Sequence, residues 1–374
     1  MRICKKCFEP DTRPGQVFNK EGVCTPCQVQ ATKISAEEWE RRHLELMEVV
    51  DWARKRRSRG GYDCVIGVSG GKDSTCLALF AREVGMNPLL VCCTYPPQQF
   101  TELGAYDLSN LVSLGFDLLT VNIAPEVMKT AIRHSFFKFA NWCKPSEMAL
   151  YSSIPRIALS HGIALACAGE NPFLTFGNEC GSLDGDASNI FTMNTLDGGD
   201  LTPYLEDGNT VENMLLFKFP DKEKWADKTL RMIYLGYYIK DWSLSNNGKK
   251  AIENGLKVRT GIEADPARTG AYHNHTFLDE DFVIVNNFLK YLKFGFGQAA
   301  QQVSDDIRHG YLRREDMADF VQKYDGRCDG EYIRRFIEYI DITEEAFWEV
   351  ANKARNLDIW EEVNDEWKLK VRHD

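Results

Sequence analysis

The chain has 374 residues, of which 44% are hydrophobic and 27% are charged, with a formal net charge of −10. This composition is typical of a soluble globular protein, and the length predicts more than one structural unit. No apolar run reaches the ~18 residues of a membrane span, and the N-terminus lacks the apolar stretch of a signal peptide. We therefore expect a cytoplasmic protein without a membrane span, and the acidic charge argues against nucleic acid as its main partner.

The first element is a pair of Cys-x2-Cys turns. Cys4 and Cys7 are separated from Cys24 and Cys27 by sixteen residues, a spacing typical of a structural zinc ribbon. The segment contains no apolar core of its own, so we expect Zn²⁺ to fold it. An iron–sulfur cluster or redox dithiols are the alternatives. The other eight cysteines are scattered; most lie in apolar segments typical of the core, and Cys143 lies in a loop-like setting.

An amphipathic helix is predicted over 31–59, and it connects the ribbon to the main domain. It ends in the basic stretch 54–59, which we interpret as a solvated linker end rather than a nucleic-acid patch. An apolar, β-branched run over 62–68 then predicts a buried strand, and 75–84 has helical periodicity.

Between this strand and this helix lies Ser-Gly-Gly-Lys-Asp-Ser, residues 69–74. Gly70 and Gly71 allow backbone N–H groups to converge at the positive end of the following helix, which predicts a phosphate site. Lys72 adds a positive charge, and Asp73 is a candidate ligand for Mg²⁺. The loop does not fit the Walker pattern, because positions 66 and 73 are Ile and Asp rather than Gly and Ser or Thr. An ordinary glycine-rich turn is the alternative.

Strands and helices continue to alternate after this loop. The patterns predict strands at 88–94, 117–123 and 163–168, and helices at 103–114, 125–142 and 154–161. Such alternation is typical of a parallel sheet covered by helices on both faces, with ligands beyond the carboxyl ends of the strands. Residues at three such ends are expected to share one nucleotide: the 69–74 loop, Thr94 with Tyr95, and Gly169 to Asn171.

The remainder of the chain is less periodic. Residues 172–230 are rich in Gly, Asp and Asn and predict a loop-heavy region over the site, followed by a fifth strand over 232–239. Beyond about 245 the chain is predicted to be mostly helical. We therefore divide it into a zinc ribbon (1–30), a linker helix (31–61), an α/β nucleotide domain (62–244) and a helical C-terminal region (245–374).

The 69–74 loop resembles the pyrophosphate loop of the ATP-pyrophosphatase, or PP-loop, superfamily. This resemblance implies a HUP-like α/β fold and cleavage of ATP between the α- and β-phosphates, with adenylation of a carbonyl oxygen. It assigns ATP, Mg²⁺ and Zn²⁺ as cofactors. Lys72, Asp73 and Glu170 are the candidate catalytic residues, and the candidate ATP-binding residues are Ser69, Gly70, Gly71, Lys72, Asp73, Ser74, Thr94 and Gly169.

Together with the ribbon, the segment Lys293-Phe-Gly-Phe-Gly297 and the residues Asp305, Arg308, Gly310 and Arg314 resemble the N-acetyl sugar amidotransferases of surface-polysaccharide biosynthesis. The resemblance implies conversion of an acetamido group on a sugar or nucleotide sugar to an acetamidino group. It also implies that ammonia comes from a separate glutaminase with a cyclase-like partner, and the sequence contains no glutaminase motif. Lys293 and Arg308 are candidates for binding phosphate or substrate, with surface charges as the equal alternative.

Other interpretations remain open at this stage. A tRNA-thiolating PP-loop enzyme also carries N-terminal zinc-binding cysteines, but it is expected to have a second cysteine pair near the active site. A nucleotide-sensing or scaffold protein with a degenerate loop is a further alternative. Glu170 is a candidate for metal or amide binding, or for capping a loop. His273 and His275 are interpreted as residues of a solvent-exposed loop rather than as a metal site or a base.

Overall fold

The computed structural model describes residues 1–32, 34–57, 61–177, 181–221, 229–364 and 366–370. Parts of the predicted linker and of the loop-heavy region, at 58–60, 178–180 and 222–228, lie outside these ranges. Among the described helices, none combines the length and the apolar character that a membrane crossing requires.

A five-stranded parallel sheet forms the centre of the fold, in the order β3-β2-β1-β4-β5. The order reverses between β1 and β4, so the carboxyl end of β1 faces a crevice at the switch point. The four earlier strands were predicted, with ends that differ by a few residues. The strands are β1 Cys64–Gly67, β2 Pro88–Thr94, β3 Asp117–Asn122, β4 Leu165–Ala168 and β5 Arg231–Tyr234.

The fifth strand is shorter than predicted. It ends at Tyr234, and residues Leu235–Tyr238 form a 3-10 turn instead of continuing to 239. The backbone N–H of Gly236 donates to the carbonyl of Gly169, 3.1 Å away. This bond ties the turn to the end of β4, because both segments reach the same edge of the sheet.

Helices cover the sheet and carry the ribbon. A short helix contains the last ribbon cysteine, and the linker helix begins at Ala36, where the Ser35 side chain accepts a hydrogen bond from Glu38 N–H. The linker helix is therefore shorter than the predicted 31–59. The helices up to the loop-heavy region are α1 Thr25–Ala31, α2 Ala36–Arg54, α3 Lys72–Glu83, α4 Glu102–Ser113, α5 Pro125–Phe139, α6 Cys143–Ser160 and α7 Pro172–Phe176.

The boundary between α5 and α6 corrects two predictions. Helix α5 ends before Ala140, which adopts a left-handed conformation with φ of 45°, so the helix does not reach Trp142. Cys143 is the first residue of α6 and is buried, not part of a loop. The Asn141 side chain accepts from Cys143 N–H at 3.0 Å, a common arrangement at a helix start, but Pro155 inside the helix interrupts the pattern from which the whole helix would be predicted.

The region after residue 243 is mostly helical, as predicted, and ends in an antiparallel hairpin that was not predicted. Phe336, Ile340 and Phe347 are buried core residues, whereas Ile337 and Trp348 are partly buried. Helix α8 packs against α3 of the sheet domain. The elements are α8 Leu244–Glu253, α9 Pro266–Thr269, α10 Phe282–Phe294, α11 Gln298–Arg308, α12 Arg314–Tyr324, α13 Gly330–Ile340, α14 Glu344–Ala354, β6 Trp360–Val363 and β7 Glu366–Leu369.

Candidate active site

The Ser-Gly-Gly-Lys-Asp-Ser loop connects the end of β1 to the start of α3 at the switch point of the sheet. Gly70 has a φ of 91°, and a Cβ at this position would lie 2.8 Å from the backbone nitrogen of Leu108. The Ser69 N–H donates to Ser74 Oγ at 2.8 Å, which closes the loop over the first turn of α3. The loop therefore has the compact shape and the helix N-terminus that a phosphate group requires.

Lys72 and Asp73 form an ion pair at the start of α3. The Lys72 ammonium lies 2.7 Å from Asp73 Oδ2, and the other carboxylate oxygen accepts from the Asn247 amide of α8 at 2.8 Å. Burial alone would lower the pKa of Lys72, but Asp73, Glu170 and Asp305 together raise it above its ordinary value. Lys72 is therefore a fixed positive charge at neutral pH.

Glu170 follows β4 and is electrostatically coupled to this pair. Burial, and then the charge of Asp73, raises the pKa of Glu170 above its ordinary value. Gly169 precedes it and accepts the hydrogen bond from Gly236, so this strand end is fixed by backbone contacts. Thr94 is turned toward the sheet edge, where its hydroxyl lies 2.5 Å from Asn122 Oδ1. Of Thr94, Gly169 and Glu170, it is Glu170 whose carboxyl group interacts electrostatically with Lys72 and Asp73 of the loop.

The two histidines are not exposed, so that prediction is wrong. His275 is 8% exposed and lines a cavity of about 110 Å³ together with Ser69, Gly71 and Lys72. The His273 ring stacks on it at 4.5 Å, and His273 Nε2 lies 3.1 Å from Asp306. Burial lowers the pKa of His275 to about 4, so its ring is neutral at pH 7. Its Nδ1 has no hydrogen-bond partner among the described residues.

The segment 275–279 forms one wall of this cavity. Arg259 is buried and donates to the Phe277 carbonyl at 3.0 Å, and Phe277 has a φ of 56°. Burial raises the pKa of Asp279 in this wall to about 6. Sequence reasoning missed Asn247 and this segment as parts of the site. The polar His-Asn-His run was the one available signal, but only long-range packing shows that it contacts the loop.

The four ribbon cysteines lie together as predicted. Their sulfur atoms lie within 4.8 Å of one another, and Cys7 Sγ is 3.7 Å from Cys24 Sγ. Tetrahedral Zn²⁺ with Zn–S bonds of about 2.3 Å places its sulfurs about 3.8 Å apart. Backbone N–H groups of Lys6 and Cys24 point at Cys4 Sγ at 3.4 and 3.3 Å. The cluster fits a structural zinc ion and is too widely spaced for disulfides.

Arg308 lies beside this cysteine cluster. Its guanidinium is 4.0 Å from Cys7 Sγ and forms ion pairs with Glu9 and Asp305 at 3.9 and 3.6 Å. The arginine side chain is 4% exposed. Its positive charge faces the ribbon sulfurs and these two carboxylates. The contacts of Arg308 in the structure are therefore with the ribbon and with Asp305. Binding of phosphate by Arg308 stays a prediction.

Lys293 lies on α10, where its ammonium donates to the carbonyl of Phe139 at 3.2 Å. It does not line the cavity formed by the 69–74 loop. Its predicted contact with phosphate or substrate stays a prediction.

The parallel sheet carries the Ser-Gly-Gly-Lys-Asp-Ser loop between β1 and α3, with a four-cysteine ribbon before the sheet and a helical region after it. This arrangement is that of α/β folds whose ligands bind at the carboxyl ends of the strands. The family model described as "LPS biosynthesis protein WbpG-like, C-terminal domain" matches residues 269–372. This match supports the predicted resemblance to a lipopolysaccharide-biosynthesis family, and the matched part begins just before the segment 275–279.

Comparison with curated proteins found no match to the chain. Among solved structures, NMN synthetase from Francisella tularensis is similar with a TM-score of 0.28 and 14% sequence identity, over 62% of this chain and 100% of that chain.

Proposed function

We propose that this chain is an ATP-dependent, AMP-forming amidotransferase that converts a sugar acetamido group to an acetamidino group in surface-polysaccharide biosynthesis. The observation that supports the proposal best is the arrangement of Lys72, Asp73 and Glu170 at the PP-loop. It is combined with a C-terminal region that matches a lipopolysaccharide-biosynthesis family and contributes His275 to the same cavity.

The proposed chemistry has two steps. The acetamido oxygen attacks the α-phosphorus of ATP, pyrophosphate leaves, and the acetamido nitrogen loses its proton. Ammonia then attacks the activated carbon, and AMP leaves with the former amide oxygen. The products are the acetamidino sugar, AMP and pyrophosphate. The first step is necessary because an unactivated amide is a poor electrophile.

The described residues have distinct roles in this scheme. Lys72, whose pKa is raised, and the loop amides stabilise the charge of the departing pyrophosphate. Asp73 would hold Mg²⁺, which neutralises phosphate charge when bound. Glu170, whose pKa is raised mainly by burial, accepts the proton of the acetamido nitrogen. Positioning by these groups accounts for much of the expected rate.

The thiolation alternative is less well supported. Among the described residues, the four ribbon cysteines are the one group of three or more metal-ligating side chains. No second cluster of that size is therefore found among the described residues. The chain also carries a net charge of −10, which disfavours tRNA.

The decisive experiment follows the amide oxygen. The chain is incubated with ATP, Mg²⁺, ammonium and nucleotide sugars whose acetamido oxygen carries a heavy isotope. We expect the label in AMP and a product in which NH replaces oxygen, both read by mass spectrometry. Asp73→Asn is the inactive control. Formation of ADP and orthophosphate, or of a sulfur-containing product, would contradict the proposal.

The nitrogen source is a second, separable part of the proposal. We propose that ammonia is supplied by a glutaminase and a cyclase-like subunit, similar to the pair in imidazole glycerol phosphate synthase. The purified chain is then active with high ammonium and inactive with glutamine alone, and addition of the pair restores turnover with glutamine. Amidination from glutamine by the chain alone would reject a separate glutaminase without affecting the labelling result.

A further inference from the structure

His275 is an enclosed polar residue at the 69–74 loop whose ring has no hydrogen-bond partner in the described part of the chain. The residue is 8% exposed, and it lines the same cavity of about 110 Å³ as Ser69, Lys72 and Ser74. Its Nδ1 atom is buried and unpartnered there. Leaving a buried polar group without a partner is costly, and in native proteins water or a ligand satisfies most such groups.

The ring is held in place through helix α11. The neighbouring His273 ring stacks on it, with ring centres 4.5 Å apart and planes 18° from parallel. The backbone N–H groups of Tyr272 and His273 donate to Oε1 of buried Gln302 at 2.7 and 3.0 Å. His273 Nε2 also lies 3.1 Å from Asp306 Oδ2. The segment is therefore fixed on α11, and the His275 ring with it.

Helix α8 approaches the same ring at Gly248. A Cβ at this position would lie 2.4 Å from His275 Nε2 and 2.5 Å from its Cδ2. Glycine weakens a helix interior relative to alanine, and the close approach of the ring accounts for its presence here. The preceding residue, Asn247, donates to Asp73 of the loop at 2.8 Å. One turn of α8 thus contacts both His275 and the loop.

The cavity beside the ring has the features of an oxyanion site. It is bordered by the uncapped start of α3, by the hydroxyl residues Ser69 and Ser74, and by Lys72. The carboxyl groups in its lining are those of Asp73, which is paired with Lys72, and of Asp279. The volume equals that of three or four water molecules of about 30 Å³ each. It suits a phosphate group and is too small for a nucleoside.

His275 offers this site one N–H group. Burial, and then the influence of His273 and Lys72, lowers the pKa of the ring to about 4, so the ring is neutral at pH 7. A neutral imidazole has one donor nitrogen and one acceptor nitrogen. Because Mg²⁺ prefers oxygen ligands, we do not expect the acceptor nitrogen to bind the metal. The donor nitrogen matches a phosphate oxygen.

We propose that the His275 imidazole donates a hydrogen bond to the pyrophosphate part of ATP, formed by the β- and γ-phosphates, at the 69–74 loop. The C-terminal region then supplies one of the groups that bind the leaving pyrophosphate. This hydrogen bond strengthens as negative charge develops on the leaving group, so it favours the first step of the reaction. The assignment rests on the proposed cleavage of ATP at this loop and not on the identity of the acceptor.

Nitrogen NMR of the histidine rings tests the contact without turnover. The chain with ¹⁵N-labelled histidine is titrated with inorganic pyrophosphate and Mg²⁺, and the His275 signals are assigned by their absence in His275→Gln. We expect one ring nitrogen of His275 to shift and its proton to exchange more slowly with water, whereas exposed His161 stays unchanged. Unchanged His275 signals at saturating pyrophosphate would overturn the proposal. A failure of pyrophosphate to bind at all would reject the use of ATP at the loop as well.

Three substitutions of His275 separate its hydrogen bond from its shape. His275→Phe keeps a ring that can stack on His273 but lacks the N–H group, and should weaken pyrophosphate binding by roughly tenfold to 100-fold. His275→Asn and His275→Gln place an amide N–H near the positions of Nδ1 and Nε2, and one of them should recover most of the affinity. His161→Phe is the matched control on the surface. Wild-type affinity in His275→Phe, or an equal loss in all three variants, would overturn the hydrogen bond.

Gly248→Ala tests the packing that holds the ring. The added methyl group should displace His275 and weaken pyrophosphate binding by about tenfold, although alanine is the better helix former. In a His275→Ala background the same substitution should cause no further loss, because the ring that it displaces is absent. An equal loss in both backgrounds would show that Gly248 acts through Asn247 and Asp73, and would contradict the placement of His275.

The contact and the proposed function can fail separately. Pyrophosphate binding with the expected response of His275, but without amidination of any sugar, would reject the amidotransferase function and leave this contact intact. Amidination with an unchanged His275 would do the reverse.

Discussion

In the ribbon, the four cysteines themselves are the buried core, and Phe18, Val23 and Ile307 are the partly buried apolar residues packed against them. In the sheet domain, by contrast, strands β1, β2, β4 and β5 contribute to a large buried apolar cluster that includes Val65, Ile66 and Leu90. We therefore expect the ribbon to depend on a few metal–sulfur bonds, because its four sulfurs fit a zinc ion, and the sheet domain to depend on many small packing contributions. A single substitution is therefore expected to have very different effects in the two regions.

The two regions are nevertheless connected through helix α11. The ribbon backbone N–H of Phe8 donates to Ser304 of α11 at 3.0 Å. On α11, Asp305 accepts from Leu244 N–H at 2.9 Å, at the start of α8. Asn247 of α8 then holds Asp73. This path gives the ribbon a structural connection to the 69–74 loop, although the ribbon lies outside the cavity.

The largest effect is expected in the ribbon. Cys24→Ser should remove the one zinc ion expected per chain and unfold residues 1–30, because structural zinc contributes on the order of 10 kcal/mol to such modules. Metal analysis and limited proteolysis of this segment would measure the change. Cys328→Ser, a partly buried cysteine outside the cluster, is the control. Full zinc content in Cys24→Ser would place the metal elsewhere and remove the basis of the comparison.

The second largest effect is expected in the 69–74 loop, where substitutions should lower activity without changing the fold. Lys72→Ala and Asp73→Asn should each lower AMP formation by roughly 100- to 1,000-fold, because a preorganised charge at the phosphates is lost. Circular dichroism and thermal unfolding should remain close to those of the wild type. Lys250→Ala, which removes a lysine of α8 paired with Glu83 at the surface, is the matched control. Wild-type turnover in either loop variant would show that the loop is not the reacting site.

The buried ring of His275 is expected to make the free energy of unfolding depend on pH. Its folded pKa is lowered from 6.5 to about 4, so the unfolded state binds more protons between these values. The stabilisation is complete above about pH 6.5 and is lost as the pH falls toward about 4. Relative to His275→Gln, the wild type should lose about 2 kcal/mol in unfolding free energy between about pH 7.5 and about pH 5.

Denaturant unfolding at the two pH values measures this difference, with exposed His161→Gln as the control. An unchanged difference between wild type and His275→Gln would mean that the ring is not enclosed at the loop.

The smallest effect is expected at Asn247, the residue of α8 through which the ribbon is connected to the 69–74 loop. Asn247→Ala removes the hydrogen bond to Asp73 and should lower kcat/KM for ATP by about tenfold, which corresponds to one hydrogen bond to a charged group. The neighbouring Asn246→Ala is the control, since its amide contacts the Asp241 carbonyl instead. If both variants behave alike, α8 does not position Asp73, and the path from the ribbon to the loop ends before the site.

The sequence alone was sufficient to predict features formed by residues that are close together along the chain. The Cys-x2-Cys pairs identified the cluster of four sulfurs, and Ser-Gly-Gly-Lys-Asp-Ser identified the strand–loop–helix turn. The predicted strands are also present, because short runs rich in β-branched residues and bounded by turn residues favour strands. Helix ends were less accurate: α6 begins at Cys143, well before the predicted start at residue 154, because Pro155 inside the helix interrupts the local helical pattern.

Only the tertiary structure decided which distant side chains meet. Asn247 and His275 reach the loop, Arg308 lies against Cys7, and Lys293 donates to the Phe139 carbonyl, although each is far from its neighbour in the sequence. Whether a charged or polar side chain is exposed, paired or enclosed depends on the packing of helices from separate parts of the chain. Local periodicity does not contain that information, because the same residue types satisfy a surface, a salt bridge or a binding site equally well.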